Sequence, residues 1–120
     1  MQDKSDQNWS IGLKCWDEKS LNVAASRLYY GIFQAVLGYA RRKKGYAPDR
    51  FEQRSTHVDM INIVNEDFAQ DRRARRAYKE FRTLRETADY SPDTPRHDEI
   101  AEIMCEGQLV REHYLKEARK

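Results

Sequence analysis

Glycine and proline are scarce, at five and three in 120 residues. So few turn formers exclude a sandwich or barrel of many short strands. No apolar run approaches the roughly 18 residues of a membrane span, and Met1 to Ser5 carry none of the apolar character of a secretory leader. A cytoplasmic protein with no membrane partner is therefore expected. Only two cysteines are present, Cys15 and Cys105, too far apart in sequence to make a paired-thiol zinc motif. They are expected as reduced thiols in the core. An excess of one charge is also missing: 22 lysines and arginines stand against 20 acids, a net charge of +2, so nothing obliges a polyanionic partner overall. There is no glycine-rich phosphate loop, Walker lysine or nucleophile elbow, and His97 and His113 have no metal-ligand spacing to an acid. The sequence thus implies neither a metal nor a cofactor.

What is present is apolar periodicity. Hydrophobic residues make up 39% of the chain, with two Trp, seven Tyr and four Phe available for burial, enough to exclude disorder. One domain over 1–120 is expected. Trp9, Leu13 and Trp16 form one stripe of a helix over roughly 3–18. A second helix, roughly 20–44, has apolar residues around most of its circumference, as a central helix must. Its one polar seam is Arg27, Gly31, Gln34 and Gly38, where glycines would admit another backbone, for instance that of a second subunit. Arg41, Arg42, Lys43 and Lys44 favour the negative end of its dipole, and Gly45 stops it. A loop over 45–54, with Pro48 and Asp49, precedes a third helix from Ser55 or Thr56 that buries Val58, Ile61, Val64 and Phe68. The fourth helix, about 71–90, buries Tyr78, Phe81, Leu84 and Ala88 and stops before Pro92. Thr94 as N-cap and Pro95 at the first position open a fifth, with Ile100, Ile103, Met104, Gly107, Val110 and Tyr114 inward. The expected fold is all-α, an up-and-down antiparallel bundle of about five helices.

Arg85 is out of place, because it continues the apolar stripe of the fourth helix and so needs a partner. Asp89 lies one turn on, and Arg27 could share that carboxylate. The group is either an ion-pair network fixing the register of two helices or a phosphate-holding site in a groove or dimer seam. Arg72, Arg73, Arg75 and Arg76, with Lys79, form a run of five cations without an acid. Such a run is either a solvated face or a phosphate-binding surface for RNA. His57, at the start of the third helix, is a candidate acid or base, or a cap.

The segments Ala24-Ala-Ser-Arg-Leu-Tyr-Tyr-Gly-Ile-Phe-Gln-Ala35 and Leu84-Arg-Glu-Thr-Ala-Asp-Tyr-Ser91, with His57 between them, resemble the HEPN superfamily. They are most similar to its small stand-alone branch, and the likeness runs in order through nearly the whole chain. It implies a helical bundle, usually dimeric, with the fourth helices of two subunits around a shared cleft. It also implies a minimal nucleotidyltransferase as partner in a toxin–antitoxin or defence pair, sometimes modifying a tyrosine, here Tyr90. Active relatives are metal-independent ribonucleases with an Arg, four to six residues and a His. Arg85 takes the arginine's place, but its gap ends at Tyr90, Ser91 or Pro92; Arg50 and His57 have the spacing but lie elsewhere. The resemblance makes Arg85, Asp89, Tyr90 and His57 the catalytic candidates and Arg27 a binding one. The alternatives are a ribonuclease with a non-standard site and a purely structural adaptor.

Overall fold

A computed structural model describes residues 2–47 and 55–120 of the chain, and it is an all-helical bundle of five helices. These are α1 (Gln2–Asp17), α2 (Leu21–Lys43), α3 (Ser55–Asp67), α4 (Arg72–Tyr90) and α5 (His97–Arg119). The segment with Pro48, Asp49 and Arg50 lies outside the described residues, so the Arg50–His57 pair has no structural account.

As its all-round apolar sequence requires, α2 is the central helix. Ala24, Ala25, Leu28, Tyr29, Ile32, Val36 and Ala40 are buried on several of its sides. α1 lies antiparallel to it: Gly12 packs on Leu28, and Trp9, one turn earlier in α1, packs on Gly31, one turn later in α2. In α5, Gly107 meets Ile32 and Tyr114 meets Tyr39, so α2 and α5 run in the same sense. α4 completes the layer, with Phe81 against both Gly107 and, edge-on, Trp9.

Helix ends follow local chemistry. The α1–α2 turn closes with Ser20 N–H donating to the Cys15 carbonyl at 2.8 Å, which forces Lys19 into the left-handed region (φ 62°). Gly45 adopts the same region at φ 63° just beyond α2, where no side chain opposes it. Asp71 caps α4 by accepting from Ala74 N–H at 3.1 Å.

Several sequence expectations are corrected. α5 begins at His97 rather than Pro95: the Thr94–Pro95 stretch buries Pro95, and Glu99 accepts from Arg96 N–H at 2.9 Å. His97 then stacks on Trp16 at 4.0 Å, and the Trp16 indole donates to the His97 carbonyl. α3 is rotated, with Met60 and Val64 buried and Val58 47% exposed. Cys105 faces solvent on α5, opposite Ile103 and Gly107, so it is not a core thiol, whereas Cys15 is half-buried and packs against the core. The close approach at Gly31 is used within the chain: Ser5 Oγ donates to the Gly31 carbonyl at 2.6 Å. That part of the glycine seam faces α1, not a second subunit.

Candidate functional site

The last turn of α4, the start of α3 and the middle of α2 converge on one aromatic and cationic cluster. Arg85, the misplaced arginine of the α4 stripe, is half-buried and donates from Nη2 to the Tyr30 hydroxyl at 2.8 Å. Its Nε lies 2.9 Å from Asp89 Oδ2, close enough for an ion pair but without the alignment of a hydrogen bond. The guanidinium also lies over the Tyr30 ring at 5.3 Å and the Tyr90 ring at 5.5 Å. Burial works against its charge, yet Tyr30, Tyr90 and Asp89 hold its pKa above the ordinary value. Arg85 is thus a fixed cation with aromatic walls, and Tyr90, 77% exposed, forms its outer rim.

His57 joins this cluster from α3. Its ring stacks on Phe33 at 4.6 Å, and Nδ1 shares a 2.7 Å hydrogen bond with the Tyr29 hydroxyl. The phenol donates when the imidazole proton sits on Nε2, and the ring N–H donates in the other tautomer. Burial, then Arg85 and Arg82, push the His57 pKa below 6.5, with Glu86 opposing weakly. The imidazole is accordingly neutral near pH 7. Burial also raises Tyr29 to about 12. Tyr78, fully buried, places its hydroxyl near that of Tyr29 without an aligned hydrogen bond. The cluster therefore offers a neutral imidazole, a fixed guanidinium and an exposed phenol.

The candidate residues thus separate in space. Arg85, Asp89, Tyr90 and His57 come together, although His57 is far from Arg85 in sequence. Arg27 does not join them and shares no carboxylate with Arg85: it turns to α1 and donates to Asn8 Oδ1 at 3.1 Å. Tyr30, on another face of α2, takes the place that Arg27 was expected to fill. The basic run splits as well. Arg73 faces Glu80, Glu102 and Glu106 in a depression against α5, and Arg76 donates to Glu80 at 2.6 Å. Arg72, Arg75 and Lys79 line the other side with Asn65 of α3, and Arg76 borders both hollows.

Sequence reasoning missed three participants. Tyr29 and Tyr30 count as apolar positions, which conceals their hydroxyls. Arg111, at an α5 position next to Val110, looks solvated but is buried. It donates to Ser5 Oγ at 3.0 Å and pairs with Asp6, with Trp9 against its guanidinium, so it ties α5 to α1. The alternation of Ser5 and Trp9 on one face of α1 was the only available signal for it.

No family model, curated protein or solved structure matches this chain. Among the described residues, no group of three His, Cys, Asp or Glu side chains is placed to hold a metal ion, and no helix is long and apolar enough to cross a membrane.

Proposed function

We propose that this chain is a HEPN-type helical protein that contacts RNA or nucleotide phosphate through Arg85. It works as the partner of a minimal nucleotidyltransferase in a toxin–antitoxin or defence pair. The observation that carries this reading is the placement of Arg85: a half-buried cation braced by Tyr30 and Asp89 and opening to solvent beside exposed Tyr90. A guanidinium so held presents donors to phosphate oxygens without having to be ordered first.

In this reading Tyr90 is the hydroxyl offered to the partner. Its oxygen attacks the α-phosphorus of a nucleoside triphosphate, the α–β anhydride bond breaks, pyrophosphate leaves and the phenolic proton passes to a base. Mass spectrometry of the chain isolated from its own cells tests this step. A nucleoside monophosphate increment on the peptide carrying Tyr90 is expected, and an unmodified peptide throughout would remove this role. The second subunit belongs to the same reading, with two α4 ends around one cleft. Sedimentation should give a dimer at micromolar concentration, and a monomer would eliminate the shared cleft.

One observation favours a second reading, a metal-independent ribonuclease: a neutral histidine stands by the fixed arginine without the usual sequence spacing. His57 would take the 2′-hydroxyl proton, Arg85 would bind the phosphate, and Tyr90 would supply the leaving oxygen's proton. Incubation with mixed RNA in EDTA decides between the two. Cleavage lost in folded Arg85→Ala selects the ribonuclease, and intact RNA with folded wild type selects the partner role.

A further inference from the structure

Four cations of α4 share one stripe, three of them clear of its acids. Arg72, Arg75, Lys79 and Arg82 follow i, i+3, i+7, i+10 and extend about 15 Å along the helix. Arg72, Arg75 and Lys79 line a depression with Asn65 and with Arg76, which is paired to Glu80. Arg75, Lys79 and Arg82 line the adjoining groove between α3 and α4, with Ile61, Asn65, Tyr78, Thr83 and one acid, Glu86. The two hollows share three residues and form one channel.

The donors of this channel are unusual for a solvated face. Arg75 Nε, Arg82 Nε and the Tyr78 hydroxyl are all buried and lack an aligned hydrogen bond among the described residues. Only Arg82 has an acid close by, Glu86 at 3.3 Å. Among the described residues, Arg72, Arg75 and Lys79 make no ion pair. The channel runs toward the Arg85 cluster: Arg85 lies one turn beyond Arg82 on α4, and His57 lies one turn before Ile61 on α3.

We infer that the α3–α4 channel is a track for the phosphodiester backbone of single-stranded RNA, leading a few nucleotides into the Arg85 cluster. This rests on the RNA-contact reading above and gives it a path. A single strand fits better than a duplex, since the channel is a narrow groove between two packed helices, wide enough for one backbone and not for a double helix. An acidic protein fits less well: the Arg72 end is lined by Asn65 and cations alone, without the apolar centre of a protein interface.

The test is fluorescence anisotropy of a labelled oligouridylate of about ten nucleotides against the full chain, from about 50 to about 300 mM NaCl. Four phosphate contacts predict a slope of log K against log salt of about −3, from about −0.7 per contact on a single strand. Arg72→Gln/Lys79→Gln removes two exposed cations, is expected to keep the fold by circular dichroism, and should bring the slope to about −1.4. Arg41→Gln/Arg42→Gln, at the far end of α2, should leave it unchanged. The track is overturned if folded wild type does not bind at the lowest salt, if Arg72→Gln/Lys79→Gln keeps the wild-type slope, or if equal-length duplex RNA binds as tightly. A normal slope with unmodified Tyr90 and intact RNA would keep the track and remove only the proposed site chemistry.

Discussion

Gly107→Ala tests whether the packing that aims α4 is as close as described. Gly107 lies where α2, α4 and α5 meet, and a methyl group there would run into the Phe81 ring and stand 3.1 Å from Ile32 Cδ1. Phe81 and Ile32 are fully buried, and Phe81 is also held edge-on to Trp9, so the ring has little room to swing. Alanine in mid-helix is favoured over glycine by about 1 kcal/mol, while overpacking against two fully buried side chains belongs in the upper part of its range, about 2–3 kcal/mol. The net expectation is a loss of about 1–2 kcal/mol, or a fall in Tm of roughly 4–8 °C for a chain of this size. Thermal and urea unfolding would measure it. Adding Phe81→Leu should make the second change cheaper in the Gly107→Ala background than in wild type by about 1 kcal/mol. A Gly107→Ala chain as stable as wild type, or more so, would refute the packing account, because helix propensity alone gives that sign.

Other expectations follow from the buried polar groups. The folded pKa of His57 is lowered, so the unfolded chain binds more protons at mildly acidic pH; stability should rise with pH up to about 6.5 and be lost on acidification. His57→Phe should flatten that rise in Tm between about pH 5 and pH 7, and an unchanged pH profile would contradict the burial of a neutral imidazole. Arg111→Met keeps most of the side-chain stem but removes the donors to Ser5 and Asp6, and should cost about 2 kcal/mol in urea unfolding, whereas a neutral result would mean that Asp6, half exposed, contributes nothing. Burial raises the Tyr29, Tyr78 and Tyr114 pKa values, so stability should fall as pH climbs past 10. In an absorbance titration part of the phenolate signal should be withheld until the chain unfolds; release of all seven phenols in one step near pH 10 would contradict this.

The fold was legible because apolar periodicity records which faces are buried. α2 has apolar residues on most sides and is the central helix, and Tyr78, Phe81 and Leu84 are inward on α4 as their spacing predicts. Where several readings of a face were open, tertiary packing decided. α3 turned Met60 inward instead of Val58, and Pro95 was drawn into the core before α5 could begin. The site was half legible. Arg85 stood out as a charge on an apolar stripe, and Asp89 lay one helical turn away. Its other support came from Tyr30, a residue whose polar tip is invisible to an apolar pattern. Arg27 had the right helix but the wrong face, and only the position of α1 shows that it belongs with Asn8. His57 reaches the cluster through packing between α2 and α3, which no spacing within one helix encodes.

The claim that the Arg85 cluster receives a phosphate is tested most directly at its own histidine. The His57 imidazole would be titrated by proton NMR in wild type and Arg85→Gln, each with and without uridine 3′-monophosphate at about 10 mM, enough for millimolar affinity. Without nucleotide, Arg85→Gln should raise the His57 pKa, since that guanidinium helps to depress it. With nucleotide, the phosphate's negative charge should raise the wild-type value and leave Arg85→Gln unmoved. A wild-type His57 titration that does not change when the nucleotide is added would contradict the account.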